Sequence, residues 1–173
     1  QKLGATVIKR SLENDFSKQR NYGLNKAKNS WILFIDADER VSNLLAKEII
    51  DVVLKNNHEA FFIKREDTIW GKKIKHGETG NIWLLRLVKK NKGKWRGLVH
   101  EKLIASSSVG KLKNKLNHYP HQNISDFLKE INYYTDLRAK ELYSFGVKIE
   151  WHSILLYPVG KFFLNYFLKL GFL

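Results

Sequence analysis

Residues 31–41, Trp-Ile-Leu-Phe-Ile-Asp-Ala-Asp-Glu-Arg-Val, decide how the rest of the sequence is read. The apolar run at 31–35, β-branched and aromatic in content, predicts a strand covered on both faces, as in a parallel sheet. In such sheets the ligand site lies beyond the carboxyl ends of the strands, which is where Asp36, Asp38 and Glu39 follow. A hard divalent cation is held by one or two carboxylates while substrate phosphates fill its other positions. The spacing therefore points to a metal–diphosphate site. An Asp-x-Asp triplet is also short and common, and the same residues suit a solvated turn before a helix capped by Ser42.

Outward from this stretch, strands and helices alternate. Residues 5–9 read as a short strand and 17–28 as a helix with Ser17 as N-cap. After 31–35, a helix runs from Ser42 to about Lys55, with Leu45, Ile49, Val52 and Val53 on its apolar face. Residues 59–65 and 82–88 read as strands separated by a long loop, 68–80, and 97–105 and 111–119 as shorter extended segments. Ser125 then caps an amphipathic helix to about Ser144 that turns Phe127, Leu128, Ile131, Tyr134 and Leu137 inward. The alternation argues for an α/β fold. It suggests a catalytic unit over 1–120 and a helical segment over 121–173.

The last stretch, 154–173, is just long enough to span a bilayer if helical. Lys161, Asn165 and Lys169, each four apart, nevertheless draw one polar stripe along it. That pattern favours a helix lying in an anionic membrane surface, its lysines among headgroups. The alternative is a helix packed on its own domain.

A length of 173 residues suits one domain with a real core, and 43% hydrophobic content agrees with a globular chain. The absence of Cys excludes a disulfide framework and thiolate metal sites. The net charge of +14 favours anionic partners. Its cations cluster at Lys72, Lys73 and Lys75, at Lys89, Lys90, Lys92, Lys94 and Arg96, and at Lys111, Lys113 and Lys115, the last three on one face of a strand.

Three segments carry a resemblance. DFSKQRNYGLNKAKNSWILFIDADERVS (15–42) is similar to the central stretch of bacterial family 2 glycosyltransferases, in particular the subgroup that adds sugars to lipopolysaccharide core. KWRGLVHEKL (94–103) resembles that subgroup's second signature and PVGKFFLNYFLKLGF (158–172) its C-terminal segment. The resemblance implies a partial GT-A (Rossmann-like) mixed sheet flanked by helices, with C-terminal amphipathic helices. It implies inverting transfer of a sugar from a nucleotide-diphosphate donor to a glycan or lipid-linked acceptor, with Mg2+ or Mn2+, in the cytoplasm on the inner face of the bacterial membrane. It starts part-way into the family's fold, so the chain is expected to be a piece of a longer polypeptide. Lacking the first strands, which hold much of the base and ribose, the piece alone is expected to bind nucleotide sugar poorly.

By the same resemblance Asp36 faces the donor's ribose or sugar and Asp38 binds the metal. Arg20 and Asn21 belong to a helix approaching the donor, where a guanidinium suits diphosphate; the alternative for Arg20 is a salt bridge to Asp15 or to a carboxylate near the strand end. Glu101 is the expected base toward the acceptor, with Asp67 or Glu78 next in line, and His100 a metal or phosphate contact. Glu39 matches an acidic position of the pattern or favours the start of the next helix. Arg86 needs a partner if buried, and otherwise reaches a phosphate or sits on an exposed face; Trp83 and Trp95 suit a sugar ring or the core.

Two rival functions stand beside transfer. A basic nucleic-acid-binding module would account for the charge and for Trp95 between Lys94 and Arg96. It would leave the acidic strand end unexplained, so no nucleic-acid partner is expected. A catalytically inactive membrane-associated remnant is the other rival.

Overall fold

The computed structural model describes residues 4–13, 15–97, 101–105, 108–120 and 123–172. The chain runs α1 (Phe16–Lys26), β1 (Trp31–Leu33), β2 (Glu39–Val41), α2 (Asn43–Lys55), β3 (Ala60–Ile69), β4 (Lys72–Lys73) and β5 (Trp83–Lys89). It continues through β6 (Gly93–Arg96), β7 (Lys102–Ala105), β8 (Val109–His118), α3 (Ile124–Ser144) and α4 (Trp151–Phe163), which ends in a π-helical turn, Leu164–Leu168. The main sheet has the order β1-β5-β3-β8-β2, with β4 paired to β3, while β6 and β7 form a separate ribbon. β3 and β8 run parallel; the other pairs are antiparallel.

β3 is central because its first residues are apolar in both phases of a period-two pattern. Ala60 and Phe62 pack with Leu24 of α1, Leu85, Val88, Trp95 and Leu103 on one face. Phe61 and Ile63 pack with Leu45 of α2, Leu87, Leu112 and Leu116 on the other. β8 alternates as its sequence suggested, burying Leu112 and Leu116 and exposing Lys111, Lys113 and Lys115.

Several local expectations are corrected. The strand at 31–35 is a three-residue edge strand, half-buried and antiparallel to β5, because its second edge has no strand beside it among the described residues. Residues 5–9 form no strand, since a ladder needs a partner and none pairs with them. The cap of α1 is Asp15, whose carboxylate accepts from the Lys18 amide at 2.8 Å, with the Ser17 hydroxyl donating to it. Asn123, not Ser125, caps α3 by accepting from the Asp126 amide. The apolar face expected to turn inward on α3 is largely open, with Leu128 and Ile131 exposed. Ser42 does cap α2, accepting from the Leu45 amide.

Away from the site, Glu66 on β3 accepts from Lys115 at 2.5 Å and Lys73 at 2.7 Å. These bonds lower its pKa from 4.5 to about 2, against a smaller opposing effect of burial. A folded-state pKa below the unfolded one gives stabilisation that is complete above the unfolded value and fades as pH falls from 4.5 toward 2. Urea denaturation of wild type and Glu66→Gln should therefore converge through that window, the variant showing the flatter acid limb.

Candidate active site

The carboxyl end of β1 runs into a tight turn closed by the Glu39 amide donating to the Asp36 carbonyl at 3.0 Å. The turn reading and the site reading of Asp-Ala-Asp-Glu are both true of it. Glu39 folds back so that its carboxylate accepts from the Asp36 amide at 2.8 Å, and it is buried at 2% exposure. A side chain expected at the mouth of the site, or at the start of the next helix, instead lies beneath the turn and fixes its shape.

A buried carboxylate requires a cation, and Arg86 supplies it. Its Nη2 donates to Asp36 at 2.6 Å and to Glu39 at 2.9 Å. Arg86 comes from the middle of β5, where a strand of Leu and Val would ordinarily turn such a side chain into the core. The register explains its direction: Leu87 opposes Phe61 and Leu85 opposes Phe62, so Arg86 is the extra residue of a β-bulge. Bulges bend a strand and re-aim a side chain beside a site.

The other Asp36 oxygen accepts from Arg20 Nη2 at 2.8 Å, while Arg20 Nε donates to Glu101 at 2.5 Å. One guanidinium of α1 thus ties the strand-end aspartate to the carboxylate that precedes β7. The planar fork of donors makes this bridge possible where an ammonium would not. Arg20 also lies 4.6 Å over the Trp95 ring. Trp95 is a core residue, edge-on to Phe34, and offers no free face for a sugar. Trp83 is half-buried, with the Lys111 ammonium over its ring. Burial opposes the charge on Arg20, but Asp36 and Glu101 outweigh it and raise its pKa. Burial likewise opposes the Asp36 carboxylate, yet Arg86 and Arg20 hold it below the ordinary 3.8.

Asn21, the next residue on α1, uses both ends of its amide on the Trp95 backbone, donating to the carbonyl and accepting from the N–H at 2.9 Å each. This clamps β6 to α1 and gives Asn21 a structural task. Arg20 takes the strand-end salt bridge foreseen as its alternative. His100 lies outside the described residues.

Asp38 points away from the arginines, half-open, with His118 Nε2 3.3 Å from its carboxylate. His118 Nδ1 lies 3.0 Å from Asp67, which also takes two hydrogen bonds from Arg65 at 2.7 and 3.0 Å. Burial raises the Asp67 pKa, but His118 and Arg65 reverse the sign and keep it a carboxylate. The imidazole is therefore held by a fixed anion on one side and aimed at Asp38 on the other, the arrangement that orients metal-ligating histidines. No three His, Asp or Glu side chains converge on one point among the described residues. Asp38 and His118 make a pair of one carboxylate and one imidazole, 3.3 Å apart.

Sequence reasoning did not single out His118 or assign Asp67 this role. His118 continues the Leu112–Leu116 phase of β8, a pattern visible in the sequence, but its neighbours are set by the pairings His118 to Glu39 and His118 to Asp67.

A mixed sheet flanked by helices, with the acidic turn at a strand end, has the architecture of a partial GT-A, Rossmann-like fold. Residues 1–110 match the model of Glycosyl transferase family 2, and the chain belongs to that family. It is a glycosyltransferase domain, whose reaction transfers a sugar from a nucleotide-sugar donor to an acceptor.

Proposed function

We propose that the domain is an inverting, metal-assisted transferase, moving a sugar from a nucleoside diphosphate to a glycan or lipid-linked acceptor such as lipopolysaccharide core on the cytoplasmic face of a membrane. The observation that carries this reading is the Arg20 bridge between Asp36 and Glu101, with the Asp38–His118 pair at the same turn. In this reading Asp36 is the donor-facing carboxylate, Glu101 the acceptor-facing one, and Asp38 with His118 the cation-binding pair.

In a single displacement the acceptor hydroxyl attacks the anomeric carbon, its proton passes to a base, and the bond to the diphosphate breaks. Glu101 Oε2, the oxygen not taken by Arg20 Nε, is the base in this reading. Asp36, fixed on both oxygens by arginine, orients the donor's ribose or sugar. Asp38 and His118 would hold the divalent cation, which when bound stabilises the departing diphosphate. Burial raises the pKa of Tyr134 on α3, and the charges of Glu130, Glu101 and Asp36 add to the rise. Tyr134 lines an apolar groove of about 720 Å3 together with Ile131, Leu142, Val147 and Ile149. In this reading a groove of that lining favours an acceptor with an apolar part.

Donor consumption coupled to acceptor glycosylation by the wild-type chain is the direct test. Asp38→Asn, which keeps volume and removes a ligand charge, should abolish metal-dependent transfer while leaving the fold intact. An unchanged cation dependence would move the metal away from Asp38, and absence of transfer to any glycan or lipid-linked acceptor would remove the proposal.

A further inference from the structure

The C-terminal helix carries its polarity the wrong way round for a helix resting on its own domain. From 151 to 172, the two residues that are not exposed, Lys161 and Asn165, are both polar. Both reach Glu78 in the loop after β4, Lys161 Nζ at 2.6 Å and Asn165 Nδ2 at 3.4 Å. The Gly77 amide donates to the Lys169 carbonyl at 2.8 Å, a second hook from the same loop. The stripe expected to meet headgroups is therefore the edge by which the helix holds the domain. The apolar residues face out: Trp151, Leu156, Tyr157 and Leu168 are 66–78% exposed. Phe162 stacks on Tyr166 and Phe163 on Phe167, making an aromatic surface with little covering it.

We infer that α4 and its π turn are a docking face for an anionic bilayer surface. The 18 residues 151–168 measure about 27 Å, lying flat. No helix among the described residues is long and apolar enough to cross a membrane. Large apolar surfaces of this kind mark an interaction site, and Trp and Tyr among Phe and Leu suit the acyl–headgroup boundary.

Charge decides the occupant. Residues 151–172 contain no Asp or Glu. Lys72 and Lys75, on the hairpin and loop that carry Glu78, and Lys148, just before the helix, are exposed and have no carboxylate partner among the described residues. An anionic surface complements these lysines. A second copy of this chain would bring the same lysines and a net charge of +14 against them.

The test is sedimentation of the full chain with phosphatidylcholine vesicles, with and without phosphatidylglycerol, alongside a melting curve and sedimentation equilibrium. Binding should appear with phosphatidylglycerol, weaken with salt, and fall at least about tenfold in Leu156→Glu/Leu168→Glu with an unchanged melting temperature. Three results overturn the inference: binding indifferent to vesicle charge and salt; a dimer without vesicles that the double variant dissociates; or no vesicle binding together with a lower melting temperature in the variant. Transfer to a soluble acceptor should be the same in wild type and the double variant, so this outcome is read separately from the proposed reaction.

Discussion

Replacing Arg86 with Met should lower the unfolding free energy by roughly 3–5 kcal/mol, the usual consequence of removing one partner from a buried ion pair. The guanidinium serves two carboxylates, and Glu39, 2% exposed, has no route to water when it is gone. Asp36, about a third exposed on its side chain, recovers part of its hydration and contributes less. The loss should depend on pH. Because Arg86 and Arg20 depress the Asp36 pKa below 3.8, its contribution is present above that value and disappears as pH falls. Urea denaturation of wild type and Arg86→Met should thus differ by a constant amount from neutral pH down to about pH 4, and by progressively less as pH falls below 3.8. A difference that is small, or that does not change with pH, would make Arg86 a packing residue rather than the cation that holds the turn. Since Glu39 also accepts from the Asp36 amide, the variant should loosen the turn itself. Donor affinity should fall with stability.

Arg86 also marks the limit of what the chain could disclose before its fold was known. Trp-Leu-Leu-Arg-Leu-Val reads as a strand with a misplaced charge. Only the skipped register between Leu85 and Leu87 shows why the charge is there, and a bulge has no signature in one sequence. The alternation of strands and helices, the start of β1 at Trp31 and the Ser42 cap were legible, because each rests on local periodicity or on a side chain bonding its own backbone. Partners across the sheet were not. Arg20 and Glu101 are 81 residues apart and Asp67 and His118 are 51 apart, so neither contact follows from spacing. The parallel-sheet expectation for β1 failed for the same reason: five apolar residues suit a buried strand of either direction, and direction is set by the neighbour. Helix α4 shows the converse. Its polar stripe was visible, but the side it would face was decided by Glu78, 83 residues before Lys161.

Glu101→Gln should lower turnover by about 10²–10⁴, or about 3–5 kcal/mol of barrier, while donor affinity changes little. The amide keeps the volume and one acceptor for Arg20 Nε, so the bridge to Asp36 survives in weakened form, but it no longer takes a proton from the acceptor hydroxyl. Arg20→Lys supplies the contrast. An ammonium cannot span Asp36 and Glu101 with a planar fork, so both carboxylates lose their fixed positions and donor KM should rise together with the fall in kcat. Single-turnover rates and donor titrations of the two variants, measured side by side, separate proton transfer from positioning. Turnover equal to wild type in Glu101→Gln would remove the base from this residue. The structure leaves no easy substitute: Asp67, within β3 rather than in a loop, is 1% exposed and engaged by Arg65 and His118, and Glu78, in the loop after β4, is held by Lys161 of α4. An unaffected Glu101 variant would therefore count against the acceptor side lying at this end of β1 at all, whereas a loss confined to kcat would fix the acceptor hydroxyl next to the carboxylate that Arg20 ties to Asp36.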